Sequence, residues 1–137
     1  MIISTRGRYA LRVLTDLAEQ GVDGYIPLKD IAARQEISQK YLESIMSVLS
    51  KNALVDGAHG KGGGYRLNRL PEQYTLGEIL RLTEGSLTPV GCQGLEQGCE
   101  RMGECRAFPI WAKLDRMVQD YLDSVTLADV MAERKEN

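Results

Sequence analysis

Three cysteines carry the strongest chemical signal in this sequence. Cys92, Cys99 and Cys105 are the only cysteines among 137 residues, and they follow one another as C-x6-C-x5-C. An odd number of clustered thiols does not suggest a disulfide framework. Zinc sites usually contain C-x2-4-C pairs, which this chain lacks. Wider spacing allows each thiolate to reach a different corner of a larger group, so the pattern favours an iron–sulfur cluster.

A cluster with four ligand positions needs one donor more than three thiolates supply. Glu96, Glu100 and Glu104 lie in the same segment, and a residue of a partner subunit or a small molecule is an alternative donor. The single histidine, His59, falls in a distant glycine-rich segment, where we expect it to face solvent or DNA rather than a metal. Two other interpretations of the cysteines stay open: a thiol redox switch, and a former site that no longer binds anything.

The cysteine segment follows a region whose pattern predicts DNA binding. Ser38 is a good N-cap for a helix that runs to Asn52, because its hydroxyl can accept a hydrogen bond from an amide of the first turn. One face of this helix repeats apolar residues at i, i+3, i+4 spacing: Tyr41, Leu42, Ile45, Met46 and Leu49. The opposite face carries side chains able to hydrogen-bond to base edges or phosphates: Gln39, Lys40, Glu43, Ser44, Ser47 and Lys51.

The neighbouring segments make this helix part of a larger motif. A short helix (residues 27–35) and a turn precede it, and a β-hairpin of residues 54–55 and 65–67 follows it. Four glycines within residues 60–64 form the tip of the hairpin, where His59 and Lys61 can meet phosphates or the minor groove. The glycine spacing is not that of a phosphate-binding P-loop. This order predicts a winged helix-turn-helix, with an ordinary surface helix of a small helical domain as the alternative.

The remaining N-terminal elements support the same fold. A first helix (residues 6–20) has a predicted buried stripe of Tyr9, Ala10, Val13, Leu14, Leu17 and Ala18. Arg6, Arg8 and Arg12 near its start oppose the helix dipole, so they indicate either a nearby phosphate backbone or a solvated cluster. Residues 75–78 (TLGE) predict a capping box for the helix that follows them.

A helix is predicted after the cysteines, beginning at Pro109. Its apolar stripe is too large for a lone helix that projects into water. Its residues are Ile110, Leu114, Met117, Val118, Tyr121 and Leu122. The stripe predicts packing against a second copy in a symmetric dimer, with packing onto its own domain as the alternative. We therefore expect a DNA-binding domain (1–85), a cysteine-containing sensor loop (86–106) and a segment with the dimerisation helix and a short C-terminal helix (107–137).

Charge and hydropathy narrow the class of protein further. The net charge is −2, but residues 1–70 carry +3 and residues 71–137 carry −5, as expected for a DNA-binding half followed by something else. No apolar run approaches the ~20 residues that span a bilayer, and no signal-peptide pattern opens the chain, so we expect a cytoplasmic protein. Without a histidine near the cysteines or a nucleotide-binding fingerprint, we do not expect an enzyme.

Several motifs together resemble one family. STRGRYALRVL, IAARQEISQKYLESIMSVLSKNALV, HGKGGGYRL, TLGEILRLTEG, the cysteines and the final TLADVMAE are similar to the Rrf-two family of bacterial transcription regulators, which includes IscR, NsrR and CymR. The resemblance implies a mainly α winged helix-turn-helix dimer, joined by its long C-terminal helix, that binds a palindromic operator in double-stranded DNA. It implies that Tyr41, Glu43 and Ser44 lie on the major-groove side of the recognition helix with Gln39 and Lys40 beside them, and that His59 stands where the family has a wing arginine. We expect Ser38 and Lys61 to contact DNA as well.

The resemblance also implies that Cys92, Cys99 and Cys105 are cluster ligands. The histidine ligand of IscR is replaced by Phe108, and the partner aspartate of NsrR is replaced by Arg8. This leaves a [2Fe–2S] or [4Fe–4S] cluster with an unidentified fourth ligand, or no cluster. We expect a homodimeric regulator whose DNA affinity depends on the cluster. The alternative is a metal-free regulator of the CymR type that responds through thiol oxidation or through a protein or small-molecule partner.

Overall fold

The elements of the fold begin close to where the sequence places its capping residues. The structure, a computed structural model, describes residues 2–21, 23–91, 101 and 103–133. Within these residues the chain forms six α-helices, one two-stranded antiparallel sheet and one 3-10 turn at Pro71–Gln73. The helices are α1 Thr5–Gln20, α2 Leu28–Gln35, α3 Gln39–Lys51, α4 Leu76–Glu84, α5 Phe108–Ser124 and α6 Leu127–Ala132, and the strands are β1 Val55–Ala58 and β2 Gly64–Leu67. The predicted mainly helical fold with a hairpin wing is confirmed.

Local hydrogen bonds fix the helix ends. Ser38 Oγ accepts from the Tyr41 amide at 3.2 Å, which starts α3 one residue after the cap. Ser4 Oγ caps α1, and Gly21 ends it in the left-handed region at φ 52°. These contacts involve residues close in sequence, which is why the sequence pattern predicts them well.

The capping box predicted for α4 forms only in its first half. Thr75 Oγ1 accepts from the Glu78 amide at 3.1 Å, as expected. The Glu78 carboxylate instead accepts from Arg69 Nη1 at 2.8 Å. A charged partner brought close by the fold therefore wins over the local backbone amide. The complete capping box lies at α6, where Thr126 and Asp129 cap each other.

The main core lies between α1, α2, α3 and the base of the hairpin. From α3 it takes Leu42, Ile45, Met46 and Leu49, each at most 1% exposed. Tyr41 was predicted on this buried stripe but is 38% exposed, because its ring lies at the edge of the stripe against Tyr9. Tyr9 and Ala18 of α1 are likewise only partly buried.

The hairpin is longer than predicted and is joined by a third short segment. Its register pairs Val55 with Leu67 and Ala58 with Gly64, so the tip is residues 59–63. Ile26 and Tyr65 exchange two backbone hydrogen bonds of 2.8 and 2.9 Å, which ties the chain before α2 to β2. A Cβ at Gly64 would collide with the backbone of Ile26, so only glycine permits this approach.

The C-terminal helices pack against the same body. Leu127 of α6 is fully buried in the main core, and a bridge between Thr75 and Thr126 joins α6 to the start of α4. Arg81 of α4 pairs with Asp123 of α5 at 2.7 Å. None of the helices in the described ranges is long and apolar enough to cross a membrane.

Candidate nucleic-acid interface

The polar face of α3 and the wing form one continuous surface. All eight predicted DNA-contact residues are exposed: Ser38, Gln39, Lys40, Tyr41, Glu43, Ser44, His59 and Lys61. Gln39 and Glu43 line one cleft together with His59, and Ser47 and Lys51 line a second cleft that His59 also borders. Of the predicted contact residues on the helix, the structure thus places Gln39 and Glu43 in one cleft with His59, where polar side chains can hydrogen-bond to base edges or phosphates. The other predicted residues are exposed but line neither of these clefts: Ser38, Lys40, Tyr41, Ser44 and Lys61.

The wing tip owes its narrow shape to its glycines. Gly60 and Gly62 adopt φ values of 83° and 80°, which L side chains rarely adopt. The amide of Gly63 donates to the carbonyl of Gly60 at 2.9 Å, and a Cβ at Gly63 would collide with Ala58. The three glycines of the tip leave its two larger side chains, His59 and Lys61, exposed.

Helix α1 contacts α3 at two of the residues predicted to bind DNA, Ser44 and Tyr41. Arg6 Nη2 donates to the Ser44 carbonyl at 3.2 Å. The rings of Tyr9 and Tyr41 meet edge to face, with 5.9 Å between their centroids. The arginines of α1 thus have internal partners that the sequence did not suggest. Arg8 donates to Thr5 at 2.8 Å, and Arg12 donates to the side chain and carbonyl of Gln35.

A buried carboxylate in α1 was missed by the sequence analysis. Asp16 is 2% exposed and accepts three hydrogen bonds: Arg34 Nε at 3.0 Å, Arg34 Nη2 at 2.8 Å and Gln35 Nε2 at 2.9 Å. The hydrogen bond to Asp16 raises the pKa of Arg34 above its ordinary value. The available signal was an aspartate beside the apolar stripe of α1 and an Arg-Gln pair at the end of α2.

Tyr74 ties the two ends of the wing to the core. Its side chain is fully buried, and its hydroxyl donates to the Leu54 carbonyl at 2.7 Å. The same oxygen accepts from the Asn68 amide at 3.2 Å. Leu54 precedes β1 and Asn68 follows β2, so one side chain joins both ends of the hairpin. Burial raises the pKa of Tyr74 above its ordinary value.

Of the predicted cluster ligands, the structure describes only Cys105. Its thiol is exposed and lies three residues before the start of α5. Cys92 and Cys99 lie outside the described residues, as do Glu96 and Glu100. Within the described part of the chain, no group of three or more His, Cys, Asp or Glu side chains could hold a metal ion. The donor chemistry fits an iron–sulfur cluster, because thiolates are its preferred ligands and the Cys105 thiol is accessible.

Phe108 and Arg8, which stand where the resemblance would place a histidine or an aspartate ligand, do not provide a fourth donor. Phe108 is the first residue of α5 and is half-buried, and its ring has no atom that can bind iron. Arg8 is a cation that donates to Thr5 Oγ1. Glu104 is exposed one residue before Cys105, and it is the one predicted acidic donor that the structure describes.

The apolar stripe of α5 divides into two parts. Leu122 is 8% exposed and packs with Leu80 and Leu87 in a second small core, which Val118 also contacts. These two predicted dimerisation residues therefore pack onto their own subunit. The exposed part of the stripe is Ile110, Leu114, Met117 and Tyr121, which are 63, 39, 61 and 65% exposed. Their spacing of four, three and four residues is that of a coiled-coil seam.

Comparison with known proteins connects this architecture to transcription regulation. The model of the Rrf2 (Rrf-two) family, described as an iron-dependent transcriptional regulator, matches residues 3–133. The HTH-type transcriptional regulator IscR of Erwinia tasmaniensis is 36% identical over 131 residues, which cover 96% of this chain and 79% of the relative.

Two solved structures share the fold over nearly the whole chain. The structure of CymR, the global cysteine regulator of B. subtilis, has a TM-score of 0.79 and 36% identity, and the match covers 96% of this chain and 97% of CymR. IscR of T. potens has a TM-score of 0.75 and 34% identity, with 99% and 90% covered.

Proposed function

Because the chain belongs to the Rrf2 family of DNA-binding transcription regulators, we propose that it binds a palindromic operator in the cytoplasm as a homodimer. The state of the cysteine segment would set its affinity for DNA. The observation that carries this proposal is the continuous exposed surface of α3 and the wing. In this proposal residues 1–85 form the DNA-binding domain, residues 86–106 the sensor loop, and residues 107–137 the dimerisation segment, whose last helix also packs on the core.

In the proposed complex, α3 enters the major groove. Gln39, Lys40 and Glu43 lie on its exposed face, where amide, ammonium and carboxylate groups can distinguish base edges. The wing lies along the adjacent minor groove, with His59 and Lys61 close to phosphates. In a dimer with a two-fold axis, the α3 helices of the two subunits would bind half-sites about 34 Å apart, which is one helical turn of DNA.

DNA binding is tested by fluorescence anisotropy on a duplex selected from a random pool. We expect the selected duplex to bind at least about 1,000-fold more tightly than random duplex at equal salt. Lys40→Ala should weaken binding to the selected duplex by about fivefold or more, since it removes a cation from the reading face. Lys113→Ala removes an exposed lysine of α5 and serves as the matched control. Equal binding to selected and random duplexes would contradict the proposal.

The proposed dimer forms through the exposed half of the α5 stripe. Apolar side chains at seam spacing are stabilised when a second helix covers them. Replacing both Leu114 and Met117 by Glu should place charges in that contact and produce a monomer in analytical ultracentrifugation. Replacing the flanking Lys113 by Gln should leave the dimer intact. A doubly substituted chain that remains dimeric would remove this surface from the proposal.

We further propose that Cys92, Cys99 and Cys105 hold an iron–sulfur cluster. When bound, the cluster supplies a centre that reacts with oxidants and nitric oxide. Purification without oxygen, followed by absorption spectra and by iron and sulfide analysis, tests this directly. We expect a coloured protein whose sulfide is lost in Cys92→Ala, and the iron count would give the cluster type. A protein that stays colourless after anaerobic reconstitution would contradict the cluster proposal.

A metal-free regulator of the same fold is the second candidate. Its specific support is the similarity to CymR over nearly all of both chains, together with the exposed thiol of Cys105. In this case thiol oxidation or a protein or small-molecule partner carries the signal. Protection of the three cysteines from alkylation by added iron and sulfide favours the cluster. Unchanged alkylation, combined with DNA binding that changes on oxidation, favours the metal-free regulator.

A further inference from the structure

We propose that Asp16 is a positioning residue, which sets the orientation of α3 for sequence-specific DNA binding. This inference rests on the DNA-binding function proposed above. Asp16 lies in α1 and is 2% exposed, so its carboxylate is shielded from water. It accepts two hydrogen bonds from Arg34 and one from Gln35, all between 2.8 and 3.0 Å. A buried carboxylate with three donors is held in one geometry, since the loss of Arg34 would leave its charge unpaired and the loss of Gln35 would leave an oxygen one donor short.

The donors to Asp16 stand immediately before the turn of the helix-turn-helix. Arg34 and Gln35 are the last two residues of α2. Glu36 follows in the left-handed region at φ 54°, and Ser38 then caps α3. Because only this short turn separates the donors from the cap, a movement of Gln35 relative to α1 would move the start of α3.

A second set of contacts runs from the same turn to the exposed face of α3. Arg12 lies one helical turn before Asp16 and donates through Nε to Gln35 Oε1 at 3.2 Å and through Nη2 to the Gln35 carbonyl. Its guanidinium lies 5.0 Å from the ring centroid of Tyr9. Tyr9 in turn meets Tyr41 of α3 edge to face. The contacts that begin at Gln35 therefore continue through Arg12 and Tyr9 to Tyr41, which is proposed to contact DNA.

The hydrogen bonds around Asp16 fit a role in orienting α3 better than a role in stabilising the fold. Replacing a buried ion pair by apolar side chains of similar size is often neutral or stabilising, and exposed pairs contribute little. The side chain of Asp16 is 2% exposed and that of Arg34 is 37% exposed, so this pair is weak support for a stabilising role. Directional hydrogen bonds, in contrast, fix relative positions. Base readout depends on directional hydrogen bonds to base edges, whereas much of the affinity for phosphates is sequence-independent attraction between charges. Loosening the turn should therefore reduce specific binding more than non-specific binding.

The test compares Asp16→Asn with the unsubstituted dimer, using a duplex selected by that dimer and a random duplex. Asparagine keeps the size but removes the charge and one acceptor. We expect about tenfold weaker binding to the selected duplex, comparable with the loss of one good base contact. Affinity for random duplex and the salt dependence should stay within about twofold of the unsubstituted values, since no phosphate contact is removed. All measurements are made at a temperature where circular dichroism shows each variant folded.

Two further variants keep the result interpretable. Gln35→Met removes the side-chain hydrogen bonds to Asp16 and Arg12 Nε without changing a charge, and it leaves the bond from Arg12 Nη2 to the Gln35 carbonyl in place. It tests the proposal if Asp16→Asn does not fold. Glu78→Gln breaks the Arg69–Glu78 ion pair, which has the same 2.8 Å separation but joins α4 to the segment after β2, and it should leave the specificity ratio unchanged.

The outcomes separate this inference from the proposed function. A folded Asp16→Asn or Gln35→Met variant that keeps the full specificity ratio would overturn the positioning role. Equal losses on selected and random duplexes would also overturn it, because they indicate general destabilisation. If the unsubstituted protein itself shows no preference for any duplex, the proposed function fails and this inference fails with it.

Discussion

Replacement of Tyr74 by Phe isolates the hydrogen bonds that hold the wing to the core. The ring is fully buried and phenylalanine keeps its shape, so no cavity is created. The substitution removes the donor to the Leu54 carbonyl, 2.7 Å away, and the acceptor of the Asn68 amide, 3.2 Å away. Leu54 is 1% exposed, so its carbonyl cannot easily recover a bond to water, whereas Asn68 is exposed.

The expected loss follows from this difference in exposure. One buried acceptor left without a partner costs about 1–3 kcal/mol, and the exposed amide adds little. We therefore expect Tyr74→Phe to lower the free energy of unfolding by about 1–2 kcal/mol and the melting temperature by roughly 3–6 °C for a chain of this size. Urea denaturation and calorimetry at one fixed protein concentration measure both values, since a dimer unfolds in a concentration-dependent way.

Tyr25→Phe is the matched control, because its ring can stay stacked under Arg66 without the hydroxyl. The control should change the unfolding free energy by less than about 0.5 kcal/mol. A Tyr74→Phe protein as stable as the control would refute the reasoning that these two hydrogen bonds anchor the wing. The pKa of Tyr74 provides a second check. Burial raises it, so the folded state keeps the proton and stability should fall as the pH rises above about 10. Tyr74→Phe lacks this part of the alkaline loss, so the two stability curves should converge there.

Three further predictions test the wing, the charge of the interface and the α4–α5 contact. Gly64→Ala should displace β2 and weaken operator binding by about tenfold or more in anisotropy assays, because backbone atoms occupy the space for its Cβ. Lys61→Ala should reduce the salt slope of DNA binding by about 0.9 if this lysine neutralises one phosphate; an unchanged slope would place it away from DNA. Arg81 lowers the pKa of Asp123, so their pair should add stability above about pH 4 that is lost on acidification. Asp123→Asn should remove that acid-sensitive part, which is below about 1 kcal/mol because the pair is half exposed, and urea denaturation at pH 3 and pH 6 measures it.

The sequence predicts those features that depend on neighbouring residues. Ser38 and Thr75 cap their helices as expected, because the cap and its amide lie three residues apart. The apolar stripe of α3 is also confirmed except at its edge, where Tyr41 is exposed. Helical periodicity alone does not determine how far round a helix its neighbours reach, so the residues at the edge of a stripe are the hardest to assign.

Contacts between distant segments could not be predicted in the same way. The partners of Asp16 lie 18 and 19 residues away in sequence. Ser44, the partner of Arg6, is 38 residues away, and Leu54, which accepts from Tyr74, is 20 residues away. Nothing in the local pattern distinguishes a carboxylate that will be buried beside an arginine from one that faces water. The division of the α5 stripe has the same cause, since Leu122 is buried only because the small core of α4 and Leu87 approaches it.

The position of the core bears on how the cysteine experiments should be interpreted. Among the described residues, the main core that supports α3 and the wing takes its buried side chains from residues 10–79 and from Leu127. The described residues on either side of the cysteine segment add Leu87 and the inward face of α5 to the second, smaller core. The stability of α3 and the wing therefore comes from apolar packing that does not include Cys105, whose thiol is exposed. Substituting the cysteines should remove the colour of the proposed cluster and change the affinity for DNA, while α3 stays folded. A cysteine variant that unfolded would show that the cysteine segment contributes to the core after all.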